Sequence, residues 1–218
     1  MQELDLGGVS GQEYYELVFR QHLDHGWNEA PGKEVVLNAV ARNHLRFPTA
    51  GALGDIGCGT GLLLSRIQQE VLPEYRLIGV DFSKTAIDEG RKLYPRISLL
   101  DEDGAATSLA PSCLDIVVSY GSYEHFPDPA AGIKEMARLL KQTGHFFTMM
   151  PTLEAYWDNE RTDEGWYPDK TGQLQWNLPR SHWESHFRAN GLQLWSGEIV
   201  SRYGARKPDV FFFGTRGH

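Results

Sequence analysis

An α/β fold, with a mostly parallel sheet and helices on both of its faces, is what this 218-residue sequence predicts, on three observations. Short apolar runs alternate with stretches of 3.6-residue apolar periodicity between residues 52 and 151. Most of these runs end at a glycine, an acid or a proline that turns the chain. The length and the 41% hydrophobic content suit one packed core, and that alternation is met by parallel strands whose connections cover the sheet.

In chain order, Tyr15, Val18, Phe19 and Leu23 recur at helical spacing over residues 12–25, and Val36, Leu37, Val40 and Ala41 repeat the pattern over 33–45. Two leading helices therefore make a helical cap of residues 1–48. The core, 49–151, opens with a buried strand at 52–56, a glycine-dense loop and a helix at 62–69. A second strand at 77–80 ends at Asp81, and Ser83 is placed to cap a helix that Pro95 stops near residue 94. Residues 97–100 and 114–119 give two more strands. A helix over 129–140 is expected to close at Gly144, before a fifth strand at 145–150. The alternation then lapses over 152–180, a lid or insertion rich in Trp, Tyr and acids. Residues 181–218 close a single domain with a helix ended by Gly191 and a hairpin of 192–200 and 210–214.

Bulk chemistry narrows the function classes. The formal net charge is -8 with no basic run, so a nucleic-acid backbone would meet repulsion. Two cysteines, Cys58 and Cys113, share no metal-binding or disulfide spacing, which suits a reducing cytoplasm. The first thirty residues lack the basic and apolar blocks of an export signal. The apolar stretches at 62–64 and 211–213 are far shorter than the roughly 20 residues of a membrane helix. A soluble cytoplasmic protein, with neither nucleic-acid nor membrane partners, is the expectation.

The chemistry-bearing signal is Asp55-Ile56-Gly57-Cys58-Gly59-Thr60-Gly61, between a predicted strand and a predicted helix. Glycine there lets the backbone turn sharply and lets a ligand lie against it. The spacing is GxGxG, whereas Leu62 and Leu64 stand where a dinucleotide fingerprint would carry glycine, and the Lys-Ser/Thr of a phosphate-binding loop is missing. Asp81 ends the next strand, where a carboxylate can accept from both hydroxyls of a ribose. Its other available use is as an acid favoured at a helix N-terminus.

These residues carry a resemblance. Leu53-Gly54-Asp55-Ile56-Gly57-Cys58-Gly59-Thr60-Gly61, Ile78-Gly79-Val80-Asp81-Phe82-Ser83 and Leu114-Asp115-Ile116-Val117-Val118-Ser119 look like successive motifs of class I S-adenosylmethionine-dependent methyltransferases. The likeness continues through Glu124-His125-Phe126-Pro127-Asp128-Pro129 and Arg138-Leu139-Leu140-Lys141 to Pro151. It implies a Rossmann-like sheet of seven strands with an antiparallel C-terminal strand inserted, and S-adenosylmethionine along the C-terminal strand ends. By resemblance, Asp55, Gly57, Cys58, Gly59 and Gly61 face its methionine part, Asp81 its ribose, and Phe82 and Ser83 its adenosine side. Asp103 with Gly104 would meet the adenine, Asp101 being the alternative, and Ser119 and Tyr120 would close the pocket at the fourth strand's end.

The cofactor is cationic and has no phosphates, so a carboxylate-bearing pocket suits it. Methyl transfer is an in-line displacement that positioning and exclusion of water can drive, so a general base is optional. His125 is the candidate base for a hydroxyl acceptor, and its other reading is that it orders the loop after the strand. Relatives with Glu-x-x-Glu-His use that loop for a metal. Here Gly121 replaces the first acid, so no metal is expected. Cys58 reads as a small loop filler rather than a nucleophile.

Trp157, Trp166 and Tyr167 in the 152–180 segment, with Tyr15 from the cap, are the candidate contacts to a small-molecule acceptor. Aromatic rings interleaved with acids suit a planar or cationic molecule. The alternative is that they only pack a long loop onto the sheet. The competing functions are a nicotinamide-dependent oxidoreductase and a silent methyltransferase-like binding module.

Overall fold

The computed structural model of the chain describes residue 16 and residues 33–153, 164–168, 174–200 and 209–217. Strand β1 (Ala52–Ile56) leads to α2 (Leu62–Glu70), β2 (Arg76–Asp81) to α3 (Lys84–Leu93), and β3 (Ser98–Asp101) to β4 (Leu114–Tyr120). Helix α1 (Lys33–Asn43) precedes them, and α4 (Pro129–Leu139), β5 (Leu140–Met150), β6 (Gly165–Pro168), β7 (Leu174–Asn177), α5 (Arg180–Ala189), β8 (Leu192–Val200) and β9 (Asp209–Arg216) follow. The main sheet has seven strands in the order β3-β2-β1-β4-β5-β9-β8, and β6 and β7 form a separate antiparallel pair. Strands β1 to β5 pair parallel, and β9 is antiparallel to both β5 and β8. The expected sheet, antiparallel insertion included, is the observed one.

Apolar residues sort onto the two faces of the sheet because strand side chains alternate. One face gathers Leu53, Ile116, Val118 and Phe147 under Val36, Leu37, Val40, Leu63, Leu64 and Ile67 of α1 and α2. The other packs Ile56, Val80, Val117, Phe146 and Phe212 under Ile133, Met136, Trp183 and Phe187 of α4 and α5. Leu114 joins this second face although Ile116 does not, and the β4–β5 register shifts between the two.

Helix starts follow local chemistry. Ser83 Oγ accepts from Ala86 N–H at 3.2 Å, and Asp128 Oδ1 does the same for Ala131 at 3.2 Å ahead of Pro129. One helix end departs from expectation. Helix α4 ends at Leu139, not at Gly144, since Leu140 is already extended (φ -66°, ψ 135°), fully buried and paired with Leu114. Burying Leu140 in the sheet outweighs continuing the helix, so β5 begins five residues early. Gly191, at φ 70°, does follow α5.

Chain order reverses between β1 and β4: β2 and β3 lie to one side of β1, and β4 and β5 to the other. Connections leave in opposite directions there, which opens a crevice beyond the C-terminal strand ends. Among the described residues, no helix is long and apolar enough to cross a membrane.

Candidate active site

Beyond β1 the chain turns through Gly57, Gly59 and Gly61, with φ of 77°, 56° and 86°. Side chains rarely tolerate this left-handed region, so glycine spacing is a backbone requirement. Val80 O accepts from both Gly57 N–H (2.8 Å) and Cys58 N–H (3.1 Å), tying the loop to β2. A Cβ at Gly57 would come within 2.1 Å of Ser122 Oγ, so the loop also runs hard against the turn after β4.

Asp81 completes this loop. Its Oδ2 accepts from Gly59 N–H at 2.7 Å and its Oδ1 from Ser83 N–H at 2.9 Å. Burial pushes its carboxyl above the usual range, against the pull of those two N–H groups, and Glu16 and Asp101 add repulsion. Each oxygen keeps a second lone pair for a ligand hydroxyl. Of the two suggested uses of Asp81, the structure shows the support of the turn into α3.

Asp55, on β1, is different. It is 2% exposed, and its Oδ1 has no hydrogen-bond partner among the described residues. Burial raises its pKa to about 7, Lys33 opposing the rise and Asp81 adding to it. The Tyr123 hydroxyl is also buried without a partner among the described residues, and burial together with Asp55 pushes its pKa up. A buried carboxylate with an open oxygen is costly unless something cationic or protic meets it.

The other expected cofactor residues divide. Cys58 is buried, and burial raises its thiol pKa well above normal, as befits a loop filler. Ser119 is fully buried and its hydroxyl donates to Ile56 O at 2.8 Å, so it ties β4 to β1. Phe82 and Tyr120 are half-buried beyond β2 and at the end of β4. Asp103 is exposed and its Oδ1 takes the Ala105 N–H at 2.8 Å, within its own turn. Asp101, half-buried at the end of β3, is the register partner of Asp81 and the acid that flanks it. Gly104 is buried against Ile56 and Phe126, where a Cβ would come within 2.8 Å of both.

His125 ends a 3-10 turn, Tyr123–His125, and its side chain is only 15% exposed. Its Nδ1 is 2.8 Å from Leu174 O on β7. A carbonyl only accepts, so Nδ1 carries the proton and Nε2 keeps the lone pair in the neutral ring. Glu124 Oε1 is 4.0 Å from that Nε2. Trp176 Nε1 donates to Phe126 O at 3.0 Å and to Pro127 O at 3.3 Å, so together with the His125–Leu174 contact the β6–β7 hairpin docks on the segment after β4. Trp166 stands opposite Trp176 in that hairpin, edge to face at 5.3 Å. Tyr15 and Trp157 lie outside the described residues, as does the side chain of Tyr167.

Two residues escaped the sequence reading. Glu16 accepts from Thr85 N–H (3.1 Å) and Thr85 Oγ1 (2.6 Å), on the first turn of α3. Lys33 of α1 lies within electrostatic reach of Asp55, Cys58 and Asp81. Neither belongs to a motif, and only packing brings them here.

The donor set fits S-adenosylmethionine: an open buried carboxylate oxygen for a cation, acceptor lone pairs on Asp81 for a ribose, and bare backbone between them. A methyltransferase domain family matches residues 54–148. The ubiquinone biosynthesis O-methyltransferase of Ralstonia nicotianae is 32% identical over 156 residues, 65% of this chain and 63% of that protein. A 2-methyl-6-phytyl-1,4-hydroquinone methyltransferase of Oryza sativa is 27% identical over 126 residues, 56% of this chain. The chain spans only 36% of that rice protein, and likewise 36% of two Mycobacterium tuberculosis relatives that are 30% identical over 106 residues. Among solved structures, the 1,6-didemethyltoxoflavin-N1-methyltransferase of Burkholderia thailandensis, with 1,6-didemethyltoxoflavin and S-adenosylhomocysteine bound, superposes with TM-score 0.71 at 15% identity. That match covers 99% of this chain and 94% of the other. A methyltransferase of Clostridium acetobutylicum gives TM-score 0.70 at 11% identity, covering 94% and 99%. Residues 54–148 match a methyltransferase domain family, and with its glycine turn, its two strand-end acids and this fold the chain resembles the class I S-adenosylmethionine-dependent methyltransferases.

Proposed function

We propose that the chain transfers a methyl group from S-adenosylmethionine to oxygen or nitrogen of a small-molecule acceptor held beneath the β6–β7 hairpin. The observation that carries the cofactor side is the open Oδ1 of Asp55 beside the Gly57–Gly61 turn. The acceptor side rests on the Trp166 and Trp176 rings of the hairpin, and on relatives named for methylating quinone precursors and a fused heterocycle. The two cysteines are free, in keeping with a reducing cytoplasm.

S-adenosylmethionine supplies an activated methyl on a sulfonium. The chain's own part is positioning. Asp55 holds the cationic end of the cofactor, Asp81 accepts from the ribose hydroxyls, and the glycine turn lets the backbone approach closely. The hairpin excludes water. His125, with its proton fixed on Nδ1 by Leu174 O, presents a basic Nε2 that can take the acceptor's proton, and Glu124 stabilises the imidazolium.

Calorimetry with S-adenosylhomocysteine beside NAD tests the cofactor: binding of the first alone is expected, and the reverse result would refute the reading. Labelled-methyl transfer to hydroxyl and amine acceptors tests the reaction. His125→Ala should lower kcat about 10²–10⁴-fold and remove the acidic limb of the pH profile. Near-normal turnover would leave His125 with only the work of holding Leu174.

A further inference from the structure

Strand β7 is held at both ends by the segments that follow the sheet strands. At its start, Leu174 O accepts from His125 Nδ1, on the turn after β4, at 2.8 Å. Just past its end, Leu178 O accepts from Leu153 N–H, beyond β5, at 2.8 Å. It therefore runs across the C-terminal ends of β4 and β5, and β4 is one wall of the crevice where the strand order reverses. Burial alternates along it: Leu174 and Trp176 are half-buried, whereas Gln175 and Asn177 are 6% and 3% exposed. The polar face of this strand is the one turned into the protein, the reverse of the usual order. Opposite Asn177 stands Gly165, which leaves room beside that face.

Gln175 is the residue whose burial the fold does not repay. Its side-chain amide makes no hydrogen bond to another group among the described residues. A buried amide without partners costs free energy that an apolar side chain of the same length would not. The cost is offset when a ligand meets both ends of the amide, the C=O with a donor and the NH2 with an acceptor. A carboxylate would meet only the NH2, and an ammonium only the C=O.

We propose that Gln175 is a specificity-determining residue for the methyl acceptor, reading an uncharged edge on which an N–H stands beside a C=O, as in a lactam fused to an aromatic ring. This assignment rests on the reading above, in which the acceptor lies beneath the β6–β7 hairpin. Two hydrogen bonds to one planar edge also fix the rotation of the ring. Leu174, the preceding residue, holds His125, so one strand positions both the edge reader and the proton acceptor. His125 acts on the reacting group, and Gln175 on the group that orients it.

The test is ligand-observed NMR on the full chain saturated with S-adenosylhomocysteine, with three probes: 2-quinolone, N-methyl-2-quinolone, whose donor is blocked, and quinoline-2-carboxylate, whose edge is anionic. The unsubstituted protein should bind 2-quinolone about tenfold or more tighter than either of the others, the effect of leaving a buried polar group unpaired. Gln175→Met, which keeps the length of the side chain without its amide, should erase that preference and leave N-methyl-2-quinolone within about threefold. Equal affinity of the unsubstituted protein for the two quinolones would overturn the assignment, as would a preference that persists in Gln175→Met. Equal losses for both quinolones in Gln175→Met would show that Gln175 only packs the hairpin, and would overturn it too. Binding of none of the probes would refute the lactam class. Failure of S-adenosylhomocysteine itself to bind would instead remove the cofactor reading, and this proposal with it.

Discussion

The corners at the ends of β1 and β2 carry the same residue type and opposite solutions. Asp81 has each oxygen bonded to a backbone N–H, of Gly59 and Ser83, and these bonds offset part of the burial cost that still holds its carboxyl above the usual range. Asp55, on the adjacent strand, is more deeply buried and leaves one oxygen open, so its charge is a cost until a ligand arrives. The fold itself satisfies both oxygens of one acid and leaves one oxygen of the other without a partner among the described residues, and this difference can be measured.

The largest effect is expected from Asp55→Asn. Removing the charge should cost at least about 100-fold in S-adenosylhomocysteine affinity at pH 8, in line with loss of a buried charge pair. It should also raise the thermal midpoint of the ligand-free protein. The sign follows from linkage: with a native pKa of about 7 against an ordinary value near 3.9, the native state keeps its proton longer than the unfolded one. The wild-type protein therefore loses stability as pH rises from about 4 to about 7, by about 4 kcal/mol at the outside, and no more above that. A midpoint that fell in Asp55→Asn at pH 8 would break the comparison.

Asp81→Asn should go the other way. Its amide nitrogen would face a backbone N–H where a carboxylate oxygen had accepted, costing about 1.5–3 kcal/mol of stability with or without ligand. Chemical denaturation measures this. A stability unchanged within error would show that the loop does not depend on Asp81.

The smallest effect sharpens the contrast through pH. Asp55 is faced by Lys33 from α1, Asp81 from β2 and Tyr123 from the turn after β4, and must ionise to hold an ammonium. Affinity for S-adenosylhomocysteine should therefore improve about tenfold between pH 6 and pH 8, as a group titrating near 7 goes from mostly protonated to mostly ionised. A flat profile would mean that Asp55 does not carry the ligand's charge.

Much of the fold was legible because periodicity and turn residues are local. The strand at Ala52–Ile56, the positive-φ glycines at 57, 59 and 61, and the Ser83 cap each follow from a few adjacent residues. The end of α4 was not: Gly144 looks like a helix stop, but Leu140 is claimed by Leu114, 26 residues away. Asp103, expected by resemblance near the adenine with Asp101 as the alternative, is exposed in its own turn, and only the strand register shows that Asp101 lies beside Asp81.

What the sequence determined by itself was the class of fold and the backbone of the site, since apolar spacing and glycine stereochemistry act within a few residues of chain. What tertiary structure alone decided was which charges face one another. Lys33 and Asp55 are 22 positions apart, and Glu16 and Thr85 are 69. Coulomb and desolvation energies depend on distance in space and on the water removed between groups, and neither is written in residue order.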